Sequence, residues 1–284
     1  MIENACLRGK DGHNLYLRED RRPYPDLYRL DSAKEYIIGL DDSILLLVRF
    51  KIGGRLRFLS HAETLRVLQR ACARAGVTIQ HTQGFNPHPR MSLPLPRPVG
   101  VESDDELLCM RVLVRDASCV MRRAKEIPNA IECVLEAQNA PITQDAIRNT
   151  IMARLSEQLP EGFELLSVSI TKADTSFVPS SATYVLPVRP RCVTADLKAR
   201  IKQVLASQSL RLERKKDPES LKSKTLDVRG FLKSIELEDS CVIVRCNVSP
   251  AGSIRVEEIL QLLELDVEKL AAPVRRTSVQ WNSN

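Results

Sequence analysis

Imidazole exchanges protons near neutral pH, guanidinium forks grip phosphate oxygens, and proline holds a displayed side chain still. These residue types coincide in one stretch, Phe58 to Glu102, FLSHAETLRVLQRACARAGVTIQHTQGFNPHPRMSLPLPRPVGVE, which holds His61, His81 and His88, three of the four histidines. In QGFNPHP, Pro87 and Pro89 bracket His88 and present it on a stiff stem. Gly84 opens a backbone conformation closed to other residues, and Gln83 and Asn86 place amide donors and acceptors beside it. His61 or His88 is the candidate general acid or base, and the chemistry that suits such a group among arginines is metal-free cleavage of RNA through its 2′-hydroxyl. His61 at the first turn of a helix equally suits a plain polar residue near a cap, and His81, alternating with Ile79, is expected to be packed. No two histidines share a ligand spacing on one element, so neither a metal nor another cofactor is expected.

A second constellation is cationic. In ILLLVRFKIGGRLRF, Ile44, Leu46, Val48, Phe50 and Ile52 share one face of a strand, and Arg49, Lys51, Arg55 and Arg57 take the other if the Gly53–Gly54 turn preserves parity. Ser60 and Glu63 form a capping box and Gly76 supplies the stop of a helix over 61–75, with Leu65, Leu68, Cys72 and Ala75 as its buried stripe. Arg66, Arg70 and Arg74 then line one exposed flank, and Arg90 follows in the loop. Such contacts give affinity for a phosphate backbone without reading sequence. Arg211, Arg214, Lys215, Lys216, Lys222 and Lys224 form a further basic stretch, while Glu102, Asp104, Asp105 and Glu106 read as a solvated turn before a strand. With aromatics at 4% and none expected on exposed strand faces, recognition by base stacking on a sheet is not supported.

The elements that must position these groups read as α+β. Residues 1–42 lack a sustained period and read as an irregular extension. From 43 to 172 the order is strand, helix, strand 77–83, strand 106–114, helix 143–158 and strand 163–170, a ferredoxin-like split βαβ unit, with a helical insertion near 118–140. A Ser/Thr/Pro-rich linker is expected at 173–182. The order then repeats over 183–284: strand 183–189, helix 194–206, strands 210–215, 224–229 and 241–248, helix 254–263 and strand 274–281. Two tandem ferredoxin-like units result. Pro94, Pro96 and Pro98 should carry their segment across an edge or the surface.

The formal charge of +6 favours anionic partners only mildly. No run has the length of a membrane span or a signal-peptide core, so the expected location is the cytoplasm and no membrane partner is expected. The eight cysteines are scattered, with neither a CxxC pair nor the CxxxCxxC cluster of an iron–sulfur centre, and Cys241 and Cys246 should face opposite ways.

At RFLSHAETLRVLQRACARAGVTIQHTQGFNPHPRMSLPLPRPVGVES the chain resembles the radical-SAM-linked family of uncharacterised bacterial proteins, and LPEGFELLSV, KSKTLDVRGFLKSIEL and VRRTSV extend the resemblance from about residue 44 onward. Residues 1–42 and 118–140 depart from it. Members are typically encoded beside, or fused to, a radical SAM protein, often near ribonuclease E/G and ribosomal-protein genes, and the family's own activity is not established. The resemblance implies a non-catalytic accessory of a radical SAM enzyme that binds RNA, tRNA or rRNA, or presents a ribosome-linked substrate. Arg49, Lys51, Arg55, Arg57, Arg66, Arg70, Arg74, Gln83, Asn86, His88 and Arg90 are then the RNA- or partner-binding set. The alternatives are a protein–protein adaptor without RNA, and a metal-independent ribonuclease similar in fold to the CRISPR repeat endoribonucleases.

Overall fold

The computed structural model describes residues 43–113, 144–215 and 223–283. The extension 1–42 and the insertion 118–140 lie outside the described residues, as do Lys216 and Lys222. Alternation along β1 (Ser43–Ile52) buries Ile44, Leu46, Val48, Phe50 and Ile52 against helix α1 (His61–Arg74). Ser60 Oγ accepts from the Glu63 amide while the Glu63 carboxylate accepts from the Ser60 amide, the reciprocal box expected. Gly76, at φ +71°, ends the helix in the left-handed region that a side chain would resist. The buried face of α1 is Thr64, Leu68, Ala71 and Cys72, with Leu65 only half-buried.

The chain continues through a two-residue strand β2 (Met91–Ser92), β3 (Glu102–Leu113), α2 (Gln144–Gln158) and β4 (Phe163–Thr171). β4 pairs with β1, β1 with β3 and β3 with β2, all antiparallel. That is the split βαβ order. The second half repeats it: β5 (Phe177–Pro187), α3 (Ala195–Ala206), β8 (Leu232–Glu238), β9 (Cys241–Asn247), α4 (Val256–Leu262) and β10 (Arg275–Ser283), spatially β10-β5-β9-β8. A hairpin of β6 (Arg211–Lys215) and β7 (Ser223–Asp227) stands apart as its own small sheet. The fold is α+β, two tandem ferredoxin-like repeats in one continuous sheet. β3 and β10 join them in parallel at Arg275↔Glu102 and Arg276↔Ser103, and residues 41–284 form one compact unit.

Several sequence expectations shift. β5 starts at Phe177, inside the stretch read as linker, because alternation resumes in FVPSSATYV and Pro179 pairs with β10 alone, before β9 joins on the other side at Ser181. The edge strand of the second repeat is β8, which was not expected. The strands expected at 210–215 and 224–229 pair with each other instead. The strand expected at 77–83 survives only as isolated pairings, Ile79↔Val112 and His81↔Pro89, and β2 takes the edge position on β3. The Gly53–Gly54 turn leads into a 3-10 turn over Gly54–Phe58 and does not preserve strand parity, so Arg55 and Arg57 do not share the strand face of Arg49 and Lys51.

The four α-helices among the described residues pack on one face of the sheet. The opposite face carries a small cluster of Leu45, Leu107 and Cys109 with Phe177 and Trp281 packed against it, so aromatics do stand on that face, contrary to expectation. Among the described residues no helix is long and apolar enough to cross a membrane.

Cys241 and Cys246 face opposite ways: Cys246 is in the core and Cys241 half-exposed. Burial pushes the thiols of Cys72 and Cys246 up to about 12 and that of Cys109 to about 11. Among the described cysteines, mild alkylation of the native protein should therefore label Cys192 and Cys241 first, Cys109 slowly, and Cys72 and Cys246 only on unfolding. Peptide mass spectrometry reads the order; early labelling of Cys72 would contradict this packing.

Candidate functional site

The QGFNPHP loop is a closed, tied projection. Thr82 donates its amide to the His88 carbonyl at 2.8 Å, and the His88 amide donates to Thr82 Oγ1 at 2.9 Å. Below these, Arg111 of β3 clamps both stems: its carbonyl accepts from the Gln80 amide and its own amide donates to the Arg90 carbonyl. Gly84, at φ +136°, makes the turn at the tip, which is why glycine is needed there. Gln83, Asn86 and His88 are all exposed, and Phe85 is fully exposed. Phe85 is the residue that sequence reasoning missed. An aromatic between glycine and asparagine in a turn-forming run was the available signal, since nothing there can bury it.

The histidines do not converge on a common contact. His61 Nδ1 is buried and without a hydrogen-bond partner, the state of a ring packed at a helix start. His81 is exposed and not packed, because the chain leaves the sheet after Gln80 and strand parity ends there; its Nδ1 donates to the Ile79 carbonyl at 3.0 Å. The His88 ring projects from the loop. Neither His61 nor His88 lines either of the two clefts described here. Among the described residues no group of three or more His, Cys, Asp or Glu side chains could hold a metal.

The cationic set divides. Arg49 lies on Asp105 at 2.7 Å and Lys51 on Glu164 at 3.0 Å, so the strand face expected to be basic is largely neutralised. Arg57 bonds the Gly54 carbonyl and stacks over Phe58, and Arg74 donates to the Gln158 carbonyl. Arg55 and Arg70 are exposed, with no ion pair among the described residues. Arg66 is exposed near Glu63, whose carboxyl is held below its usual range first by the Ser60 hydrogen bonds and then by Arg66. In the second basic stretch Arg214 is committed to Glu258 at 2.7 Å.

The acidic run 102–106 is not a solvated turn. It is the start of β3, where a bulge opposite Phe50/Ile52 sends successive side chains to different partners. Glu102 and Asp104 meet Arg275, Asp105 meets Arg49 and the Val279 amide, and Glu106 meets the buried Arg276. The run is the polar seam between the repeats. The proline-rich strap beside it alternates buried residues, with Leu93 in the first core and Leu95 in the second.

Two clefts border these elements. One, of about 500 Å³, lies at the loop base, floored by Leu45, Cys109 and Phe177 and rimmed by Arg90, Arg111 and Thr175. The other, of about 580 Å³, is formed where Gly53, Gly162 and Lys51 approach Glu102 and Arg275. Gly162 has no room for a side chain there, since a Cβ would lie 2.9 Å from the Gly53 carbonyl oxygen.

No curated protein matches the chain. Among solved structures it is similar to the ligand-free regulatory subunit of aspartate kinase from Thermus thermophilus, at 11% identity and a TM-score of 0.21, over 78% of this chain and 91% of that one. Residues 46–149 and 136–257 match a family described as an uncharacterized protein conserved in bacteria (DUF2344). The match runs from β1 past the QGFNPHP loop and the acidic run of β3 to the start of α4 in the second repeat, and the chain belongs to that family.

Proposed function

We propose that the protein is a non-catalytic accessory of a radical SAM enzyme, gripping or presenting an RNA or ribosome-linked substrate through the 81–89 loop. The observation that carries the binding half is Phe85, fully exposed on a loop tied at both stems. An apolar ring held in water on a rigid support is what a base-stacking platform or an interface anchor requires, because little ordering entropy is lost on binding. His88 and Asn86 beside it, and the exposed Arg66 and Arg70 of α1, supply polar and phosphate contacts. Arg49 and Lys51 leave the contact set, since their charges are already paired. The radical SAM link rests on the sequence resemblance.

Filter binding of the full-length protein to cellular RNA at two salt concentrations tests the RNA half. Affinity should fall steeply with salt. Phe85→Ala should weaken binding about tenfold, the loss of one stacked base, and Arg66→Glu/Arg70→Glu should flatten the salt dependence. Absence of binding at low salt removes RNA. The fully exposed aromatic also favours a protein adaptor, in which Phe85 is an interface hot spot. Co-purification of wild type and Phe85→Ala with the radical SAM partner discriminates: a complex lost while RNA binding persists makes the loop a protein anchor. Cleavage of structured RNA in EDTA by wild type, and not by His61→Ala or His88→Ala, would overturn the non-catalytic reading.

A further inference from the structure

At the cleft at the loop base the sheet's arginines behave differently from those elsewhere on it. Arg49, Arg245, Arg275 and Arg276 each meet a carboxylate. Arg111, on the same sheet and half-buried, meets none among the described residues, and its rim neighbour Arg90 has no side-chain partner there either. Two half-buried arginines on one cleft with no acidic partner give up hydration without a compensating charge, a cost that an anion offsets. The volume of about 500 Å³ falls in the range of small-molecule sites. A bare phosphate would leave the half-exposed ring of Phe177 wet, and a plain fatty chain would leave the arginines without partners. A flat heterocycle carrying a phosphate satisfies both.

We propose that this cleft binds a mononucleotide, its phosphate on Arg90 and Arg111 and its base against Phe177 and Leu45. The inference stands on the cleft and not on the loop tip, so it goes beyond the accessory reading and can fail separately from it. The nucleotide is either free or the terminal residue of an RNA. Because the backbone of Arg111 clamps both loop stems, an occupant of the cleft sits directly under the element that displays Phe85.

Calorimetric titration of the full-length protein with UMP, AMP, inorganic phosphate and a 5′-phosphorylated oligoribonucleotide tests it. The nucleotides should bind more tightly than phosphate, with an affinity that falls with salt. Arg111→Gln and Arg90→Gln should each weaken binding about tenfold, the loss of one charge-assisted contact. An unaltered unfolding temperature verifies that the variants fold. Tighter binding of the oligoribonucleotide identifies an RNA end as the source; equal or weaker binding identifies a free nucleotide. No binding of any nucleotide, affinity no better than that of phosphate, or undiminished binding by Arg111→Gln overturns the proposal.

Discussion

Replacing Glu106 by glutamine should cost about 3–5 kcal/mol of stability, because it strands the buried Arg276. Arg276 is 1% exposed and Glu106 3%, and the guanidinium otherwise reaches the Leu95 and Pro96 carbonyls and the buried Tyr184 hydroxyl, none of them charged, with its Nε unpartnered. Arginine cannot shed its charge at any accessible pH, so the uncompensated cation stays buried or the seam opens to hydrate it. Glu106→Leu with Arg276→Leu should lose much less than the sum of the two single changes, since both charges leave together. Urea unfolding of the four proteins measures the coupling. The ladder between β3 and β10 is confined to Arg275↔Glu102 and Arg276↔Ser103, so the seam depends on these side chains and Glu106→Gln should also separate the unfolding of the repeats. A single transition at wild-type stability would show that the pair contributes nothing to joining them.

This seam is also where sequence reading stopped short. The strand alternation in ILLLVRFKI, the Ser60–Glu63 box and the Gly76 stop are local features, each decided by residues a few positions apart, and they were legible. Glu106 and Arg276 are 170 positions apart, and nothing in ESDDE distinguishes a solvated turn from a bulged strand whose partners arrive from the other repeat. The same blindness made Arg49 and Lys51 look like a basic surface, when Asp105 and Glu164 neutralise them across neighbouring strands. β8 was missed because LKSIELE, half-buried at an edge, has too few apolar residues to stand out, while the more regular RLERK drew attention to a hairpin outside the main sheet. The loop was legible as a displayed element because its prolines and glycine act locally. What it displays was misjudged, since titratable groups drew attention to His88 and away from Phe85, whose exposure is the less expected state for its type.

Arg97→Met should destabilise the protein by about 3 kcal/mol or more, and Arg97→Lys should recover little of it. The guanidinium, 8% exposed, donates to the carbonyls of Arg57, Leu59, Pro98 and Val101, with a longer contact to Leu56. Those acceptors belong to the 3-10 turn that feeds α1 and to the strap that enters β3, so one fork satisfies carbonyls from two segments about 40 positions apart. Burial makes the cation less favourable, Glu106 offsets part of that, and Arg276 adds repulsion, so Arg97 is held below its ordinary pKa yet charged at neutral pH. A lysine places its donors on one nitrogen and cannot span the set, whereas methionine strips the Leu59 and Val101 carbonyls of this donor, those of Leu56, Arg57 and Pro98 keeping their amide donors. Amide exchange distinguishes a local clamp from a general loss of stability: protection should fall at residues 54–64 and 98–102 before it falls in the β8–β9 hairpin, which Arg97 does not touch. Full rescue by lysine, or uniform loss of protection across both repeats, would show that the fork geometry is immaterial and that Arg97 acts only through its bulk.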